Sequence, residues 1–311
     1  MEVEASNHSH GIISESTIPR IELTPVRKRT VKPLPESYVD VGFHSRASES
    51  HRNEDNWAVI YYMDIVFTFV FDGHGGHQTS QWLARMADDE DPETNKFFRL
   101  ESLVNGILDM DGTVREMTFA EVQYLCDTLF HELDKELLDH KMVGSTAVIG
   151  VHNVVTGKAY FIHVGDSRAA YCLYRQGNLG DVVTIVGGTS DHKPCRPDEN
   201  MRIVNAGGWV AVGASGGDMP RVNGIIGVSR AFGDHALKPH VSSRPEVTGP
   251  VYFKSGDCYV LGSDGLWDEH SNEEVFSITP NRLPSQTRVN HLFGVTSKRD
   301  DVTIIMVKVV V

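Results

Sequence analysis

The chain has 311 residues, enough for one large domain or two ordinary ones with a sizeable core. Apolar residues make up 40% and charged residues 23%, a globular balance that excludes a fibrous or wholly disordered chain. Aspartate and glutamate number 42 against 29 lysines and arginines, a formal charge of −13, and a surface that acidic is repelled by nucleic-acid phosphates, so no nucleic-acid partner is expected.

Residues 1–36 are rich in Ser, Thr, Pro and charge, and Pro19, Pro25, Pro33 and Pro35 break any periodicity, so a mobile N-terminal tail is expected. Its basic cluster, Arg27, Lys28, Arg29 and Lys32, reads either as part of a solvated tail, where such clusters are common, or as a nuclear address. No basic segment followed by an apolar run opens the sequence, and no stretch reaches the roughly 18 apolar residues that span a bilayer. The expectation is a protein with no membrane partner, cytoplasmic and/or nuclear. Cys126, Cys172, Cys195 and Cys258 lie far apart with no C-x-x-C pair, which fits a reducing compartment rather than a disulfide scaffold.

From residue 37 to 311 a single domain is expected. WAVIYY and IVFTFVF open it as β-branched and aromatic strands. After Gly76, Trp82, Leu83 and Met86 share one side of a short amphipathic helix. Thr118 and Glu121 form a capping-box pattern ahead of Val122, Leu125, Cys126, Leu129, Leu133 and Leu137 at helical spacing. TAVIGVH and KAYFIHV read as a hairpin around 153–157, and AAYCLY with DVVTIV as another around 175–180. A short helix is expected over 197–206, with Pro197 in its first turn and Gly207 at its end. DCYVLGS and VTIIMVKVVV close the set, and the stretch between Asp268 and Asp300 reads poorly as helix, which predicts a trimmed flank. The fold class is α+β: two largely antiparallel sheets flanked by helices.

Acids recur at the ends of these strands: Asp55 before the first, Asp72 after the second, Asp166 after FIHVG, Asp264 after CYVLGS, and Asp300 and Asp301 before the last. If Met63 and Asp64 form a two-residue turn, Asp55 falls opposite Asp72, and antiparallel pairing of the last two strands puts Asp264 and Asp300 at one edge. Carboxylates crowded at one edge repel each other unless cations neutralise them. Hard divalent ions such as Mg²⁺ or Mn²⁺ take oxygen ligands, whereas zinc recruits His or Cys. A pair of such ions can activate water and clamp a phosphoryl group in flight, which points to a metal hydrolase. His74 sits between glycines in DGHGG beside Asp72, where an imidazole could protonate a leaving alkoxide.

RNED at 52–55, DGHGG at 72–76, GSTA at 144–147, VGDSR at 164–168, SDHKP at 190–194, RVNGIIGVSRAFGD at 221–234, GSDGLWD at 262–268 and RDDVT at 299–303 occur in this order. Together they resemble the PPM family, the type 2C metal-dependent serine/threonine protein phosphatases, over residues 38–311. The resemblance implies an αββα sandwich that hydrolyses phosphoserine and phosphothreonine in phosphorylated proteins, with a metal-bridging water as nucleophile and two Mg²⁺ or Mn²⁺ ions. It implies that Asp72 bridges the ions, that Glu54 and the Gly73 carbonyl serve one, and that Asp264 and Asp300 serve the other. It further implies that Asp55 orients water, that His74 is the general acid, and that Asp166 with Asp264 and Asp268 forms a weaker third-metal site.

Two positions depart from the family pattern. Ser50 stands where the family usually has a phosphate-contacting arginine, which leaves Arg52 or Arg46 as the substitute. Asp301 stands where asparagine is common, either tightening the metal site or facing solvent. The competing class is a catalytically weak or inactive relative acting as a regulatory binding module. Such a relative is expected to lose metal carboxylates, and Glu54, Asp72, Asp264 and Asp300 all remain.

Overall fold

Seven consecutive residues, Ile65–Phe71, offer water no polar face beyond one threonine hydroxyl, and all seven are buried. A strand of that kind is stable only when both of its faces are covered. The computed structural model describes residues 29–30, 38–62, 64–86, 119–176, 182–212, 219–278 and 280–310, and it supplies both covers.

One sheet has the order β1 (Arg29–Thr30), β3 (Asn56–Tyr62), β4 (Ile65–Phe71), β7 (Ala147–Asn153), β8 (Lys158–Val164), β14 (Glu246–Tyr252). The other has the order β10 (Val182–Gly188), β9 (Arg168–Gln176), β15 (Cys258–Gly262), β16 (Val302–Val309), β2 (Val39–Arg46). Every pairing is antiparallel except β1 with β3, which is parallel. Apart from Arg29–Thr30, the expected tail lies outside the described residues, as does Thr118 of the capping-box pattern.

The period-two alternation of each strand sorts its side chains between two cores. From β4, Val66 and Val70 enter the space between the sheets, where they meet Trp57, Phe161, Tyr259, Ile305 and Val307. Phe67, Phe69 and Phe71 point the other way, onto α1 (Gln78–Met86) and α2 (Phe119–Lys135) through Leu83, Val122, Cys126, Phe130 and Leu133. The outer face of the second sheet packs on α4 (Asp264–Trp267), α5 (Asn272–Ser277) and α6 (Ser285–Val295) through Leu266, Val275, Val289 and Leu292. Four layers, helix, sheet, sheet and helix, result. The flank between Asp268 and Asp300, expected to be trimmed, carries two helices, the first opened by a complete capping box between Ser271 and Glu274. The short helix forms as expected, α3 (Pro197–Asn205), and its Ile203 caps a small satellite core with Val222, Ala231 and Val241. Among the described residues no helix is long and apolar enough to cross a membrane.

Strand register decides where the loops meet. Asn56 pairs with Phe71, Val70 with Val148, and Ala147 with Val164. In the second sheet Arg168 pairs with Gly262, Gly262 with Ile304, and Val302 with Arg46. The segments 47–55, 72–76, 142–146, 165–167, 263–265 and 300–301 therefore all emerge at the same end of the sandwich.

Candidate metal centre

The β3–β4 register places Asp55 and Asp72 just beyond its last pair, as the two-residue turn predicts. Around them the loops are wired to one another. Thr146 donates its N–H to the Asp72 carbonyl (2.9 Å), and its hydroxyl lies 2.6 Å from that of Ser167. Ser263 donates to Asp55 Oδ2 (2.8 Å) while accepting from the Thr303 N–H (2.9 Å). Gly73 lies so close to the Glu54 carbonyl and the Ser80 hydroxyl that a Cβ there would stand 2.6 and 2.7 Å from them. That contact sets the DGHGG loop directly on the RNED loop.

Carboxylate oxygens of Asp72, Asp166 and Asp264 lie within 4.8 Å of one another. Burial and the charges of Asp264, Asp55 and Asp166 hold the Asp72 carboxyl well above the usual carboxylate range. Burial, then Asp166, Asp300 and Asp268, does the same to Asp264. Burial pushes Asp55 up to about 7 against the easing effect of the Thr303 and Ser263 hydroxyls, with Asp301 and Asp300 adding repulsion. Asp55 Oδ1 is buried and has no hydrogen-bond partner among the described residues. Oxygen-only donors, mutual repulsion and an orphaned buried carboxylate oxygen fit a hard divalent cation. Asp300 is exposed at the rim, and an oxygen of it belongs to a second cluster with His51 and Asp301. Glu54 is half-buried on the same loop as Asp55, and Gly73 follows Asp72 directly.

Other sequence expectations resolve differently. Asp301 does not face solvent: it is buried, its two oxygens accept the N–H groups of Ser48 (2.7 Å) and Glu54 (2.6 Å), and it lies in the cluster with His51 and Asp300 rather than with Asp72, Asp166 and Asp264. Arg46 donates to the carbonyls of Thr296 (3.1 Å) and Ser297 (2.6 Å) and lies over the Phe293 ring, so its guanidinium is committed to the fold. Arg52 is exposed. Asp268 is exposed as well, and Lys193 of SDHKP reaches both it (3.8 Å) and Asp166. Burial still holds the Asp166 carboxyl above its ordinary value against that ammonium.

His74 Nε2 lies 2.6 Å from Asp234 Oδ2, and Asp234 is buried. Sequence reasoning gave no role to Asp234, which meets His74, or to Lys193, which meets Asp166, although both stand inside quoted motifs. Each acts over a separation of many residues that no local pattern encodes.

A family model described as "Protein phosphatase 2C" matches residues 39–293. The chain is 34% identical over 290 residues to "Probable protein phosphatase 2C 78" of Arabidopsis thaliana, covering 86% of this chain and 62% of that protein. It is 34% identical over 245 residues to "Protein phosphatase 1B" of Mus musculus, covering 74% of this chain and 54% of that one. The chain thus spans little more than half the length of these relatives. Among solved structures, serine-threonine phosphatase 2C from Toxoplasma gondii superposes with a TM-score of 0.62 at 23% identity, covering 92% of this chain and 98% of that one, a likeness of fold.

Proposed function

The chain belongs to the protein phosphatase 2C family, and from that membership we propose that it hydrolyses phosphoserine and phosphothreonine esters in proteins with the help of two divalent cations, Mg²⁺ or Mn²⁺. The observation that carries this reading is the convergence of Asp72, Asp166 and Asp264 from three separate loops, in a pocket where their charges cannot persist uncompensated. Glu54, Asp72 and the Gly73 carbonyl would hold one ion, with Asp72 shared, and Asp264 with Asp300 the other. When bound, such ions neutralise phosphoryl oxygens and lower the pKa of water. A third ion at Asp166 and Asp268 would compete with the Lys193 ammonium for the same oxygens.

The chain's own residues supply the rest. Asp55, fixed by Ser263, presents Oδ1 to orient the attacking water. Arg52, exposed on the RNED loop, contacts the substrate phosphate in place of the arginine absent at Ser50. His74 gives a proton to the seryl or threonyl oxygen as it leaves. The basic cluster Arg27, Lys28, Arg29 and Lys32 supports a cytoplasmic and/or nuclear location.

Phosphate release from a phosphothreonine peptide tests the reading. It is expected to require Mg²⁺ or Mn²⁺, to stop in EDTA, and to fall by about a hundredfold or more in Asp72→Ala. Hydrolysis that continues in EDTA overturns it.

A further inference from the structure

Three two-residue strands, β5 (Gly73–His74), β6 (Gly144–Ser145) and β13 (Phe232–Gly233), form a narrow strip beside the main sheets. Its register aligns His74 with Gly144 and Gly144 with Gly233, so Asp234, the next residue, comes up against the histidine from 160 positions away. Gly144 lies beneath the pair. A Cβ there would stand 2.1 Å from Asp234 Oδ2 and 2.3 Å from His74 Nε2, so the middle strand leaves room for that contact only as glycine.

Asp234 is held in place at some conformational cost. Its φ is +50°, a left-handed value that non-glycine residues seldom adopt, aspartate and asparagine more readily than most. The preceding Gly233 N–H donates to the buried Asp134 carboxylate (2.8 Å), the Asp234 N–H to the Val143 carbonyl (3.2 Å), and the Asp234 carbonyl accepts from Leu237 (2.8 Å). Phe232 anchors the strand in the core on Phe130, ring centroids 4.9 Å apart. Unusual backbone geometry over-determined by its surroundings is a mark of functional sites. The carboxylate it delivers is 2% exposed and the imidazole it meets 27%, so one partner is fixed and the other reaches solvent.

We propose that Asp234 is the positioning residue for His74: its carboxylate accepts the Nε2–H hydrogen bond, fixes the imidazole ring, and leaves Nδ1 as the nitrogen that surrenders a proton. This deepens, and rests on, the phosphatase reading above. As water forms the new bond to phosphorus, the breaking P–O bond leaves its electron pair on the seryl or threonyl oxygen. That oxygen takes the Nδ1 proton, and Nε2 keeps its own, shared with Asp234. A carboxylate that orients an imidazole and selects its tautomer does not itself become protonated.

The test uses the full chain with Mn²⁺ and the variants Asp234→Asn, His74→Ala and both together. Asparagine has the size of aspartate and tolerates the positive φ, so the fold is kept. Asp234→Asn is expected to lower kcat on a phosphothreonine peptide by about tenfold to a hundredfold with KM unchanged. On p-nitrophenyl phosphate, whose leaving group needs no proton, it should stay within about twofold of wild type. Added to His74→Ala, it should slow the peptide reaction no further. Equal slowing on both substrates, wild-type peptide kinetics, or further slowing in the double variant overturns the proposal. Nitrogen-15 NMR of the His74 ring decides the same question without turnover: a neutral ring protonated at Nε2 supports it, and one protonated at Nδ1 overturns it. A chain with no activity on either substrate but the Nε2–H tautomer would sink the phosphatase reading and leave the Asp234 contact standing.

Discussion

Asp300 and Asp301 are chemically identical neighbours with unlike tasks. Asp300 is exposed on the rim of the acidic pocket, while Asp301 turns inward and ties down the backbone at Ser48 and Glu54. Hydrogen bonds to an ionised acceptor are among the stronger ones, and leaving a buried N–H unmatched costs about 1–3 kcal/mol. Asp301→Asn places an amide NH₂ against one of those N–H groups. A lower Tm by calorimetry is expected, together with weaker Mn²⁺ uptake in a titration, because the loosened loop carries Glu54. An unchanged Tm would show that the clamp contributes nothing. Strand patterning alone cannot separate the two aspartates, since only the direction of each side chain just ahead of β16 distinguishes them. Asp55 and Asp72 were legible by contrast, because a two-residue turn fixes which positions face each other across a hairpin.

Legibility at the level of elements followed element length. The hairpins β7–β8 and β9–β10 are each long enough for alternation to declare them, and both form where the apolar runs predict. Two-residue strands carry no periodicity, so the strip that joins His74 to Asp234 left no trace in the pattern. The α5–α6 flank divides its apolar residues between two short helices, which blurs the helical repeat, yet the Ser271–Glu274 capping box was a readable start signal. Packing then couples the elements. Phe130 of α2 is fully buried against Phe232 of β13, and Phe130→Ala is expected to cost about 3–5 kcal/mol in chemical denaturation. Because β13 leads into Asp234, the same variant should lose peptide turnover at temperatures where it is still folded. Full turnover in the folded variant would mean that this packing does not govern the strip.

For the molecule as a whole, fold and cation binding are one equilibrium, since the carboxylates come from loops of both sheets. Folded and free of cations, the protein keeps a proton on Asp55 up to about pH 7, whereas the unfolded chain releases it near pH 4. Between those values the unfolded state binds fewer protons, so this group takes stability away as pH rises. Divalent cations reverse the effect by displacing the proton, and they do so more readily the higher the pH. The gain in Tm on adding Mn²⁺ to EDTA-treated protein is therefore expected to grow from pH 5.5 to pH 7.5. His152 and His192, kept neutral by burial down to about 4 and about 3, contribute alike with and without the cation and cancel in that difference. A gain independent of pH would mean that the aspartates are already ionised before any cation arrives. The placement of β2 carries a further consequence. Among the described residues its one neighbour in the sheet is β16, more than 250 residues later, with Val39 beside Val309. On the ribosome, β2 emerges early and must wait, edge open, until residues 302–309 have been synthesised and have left the exit tunnel. Asp300 arrives only just ahead of them, so a nascent chain acquires the last of its proposed cation ligands and closes its second sheet in nearly the same moment.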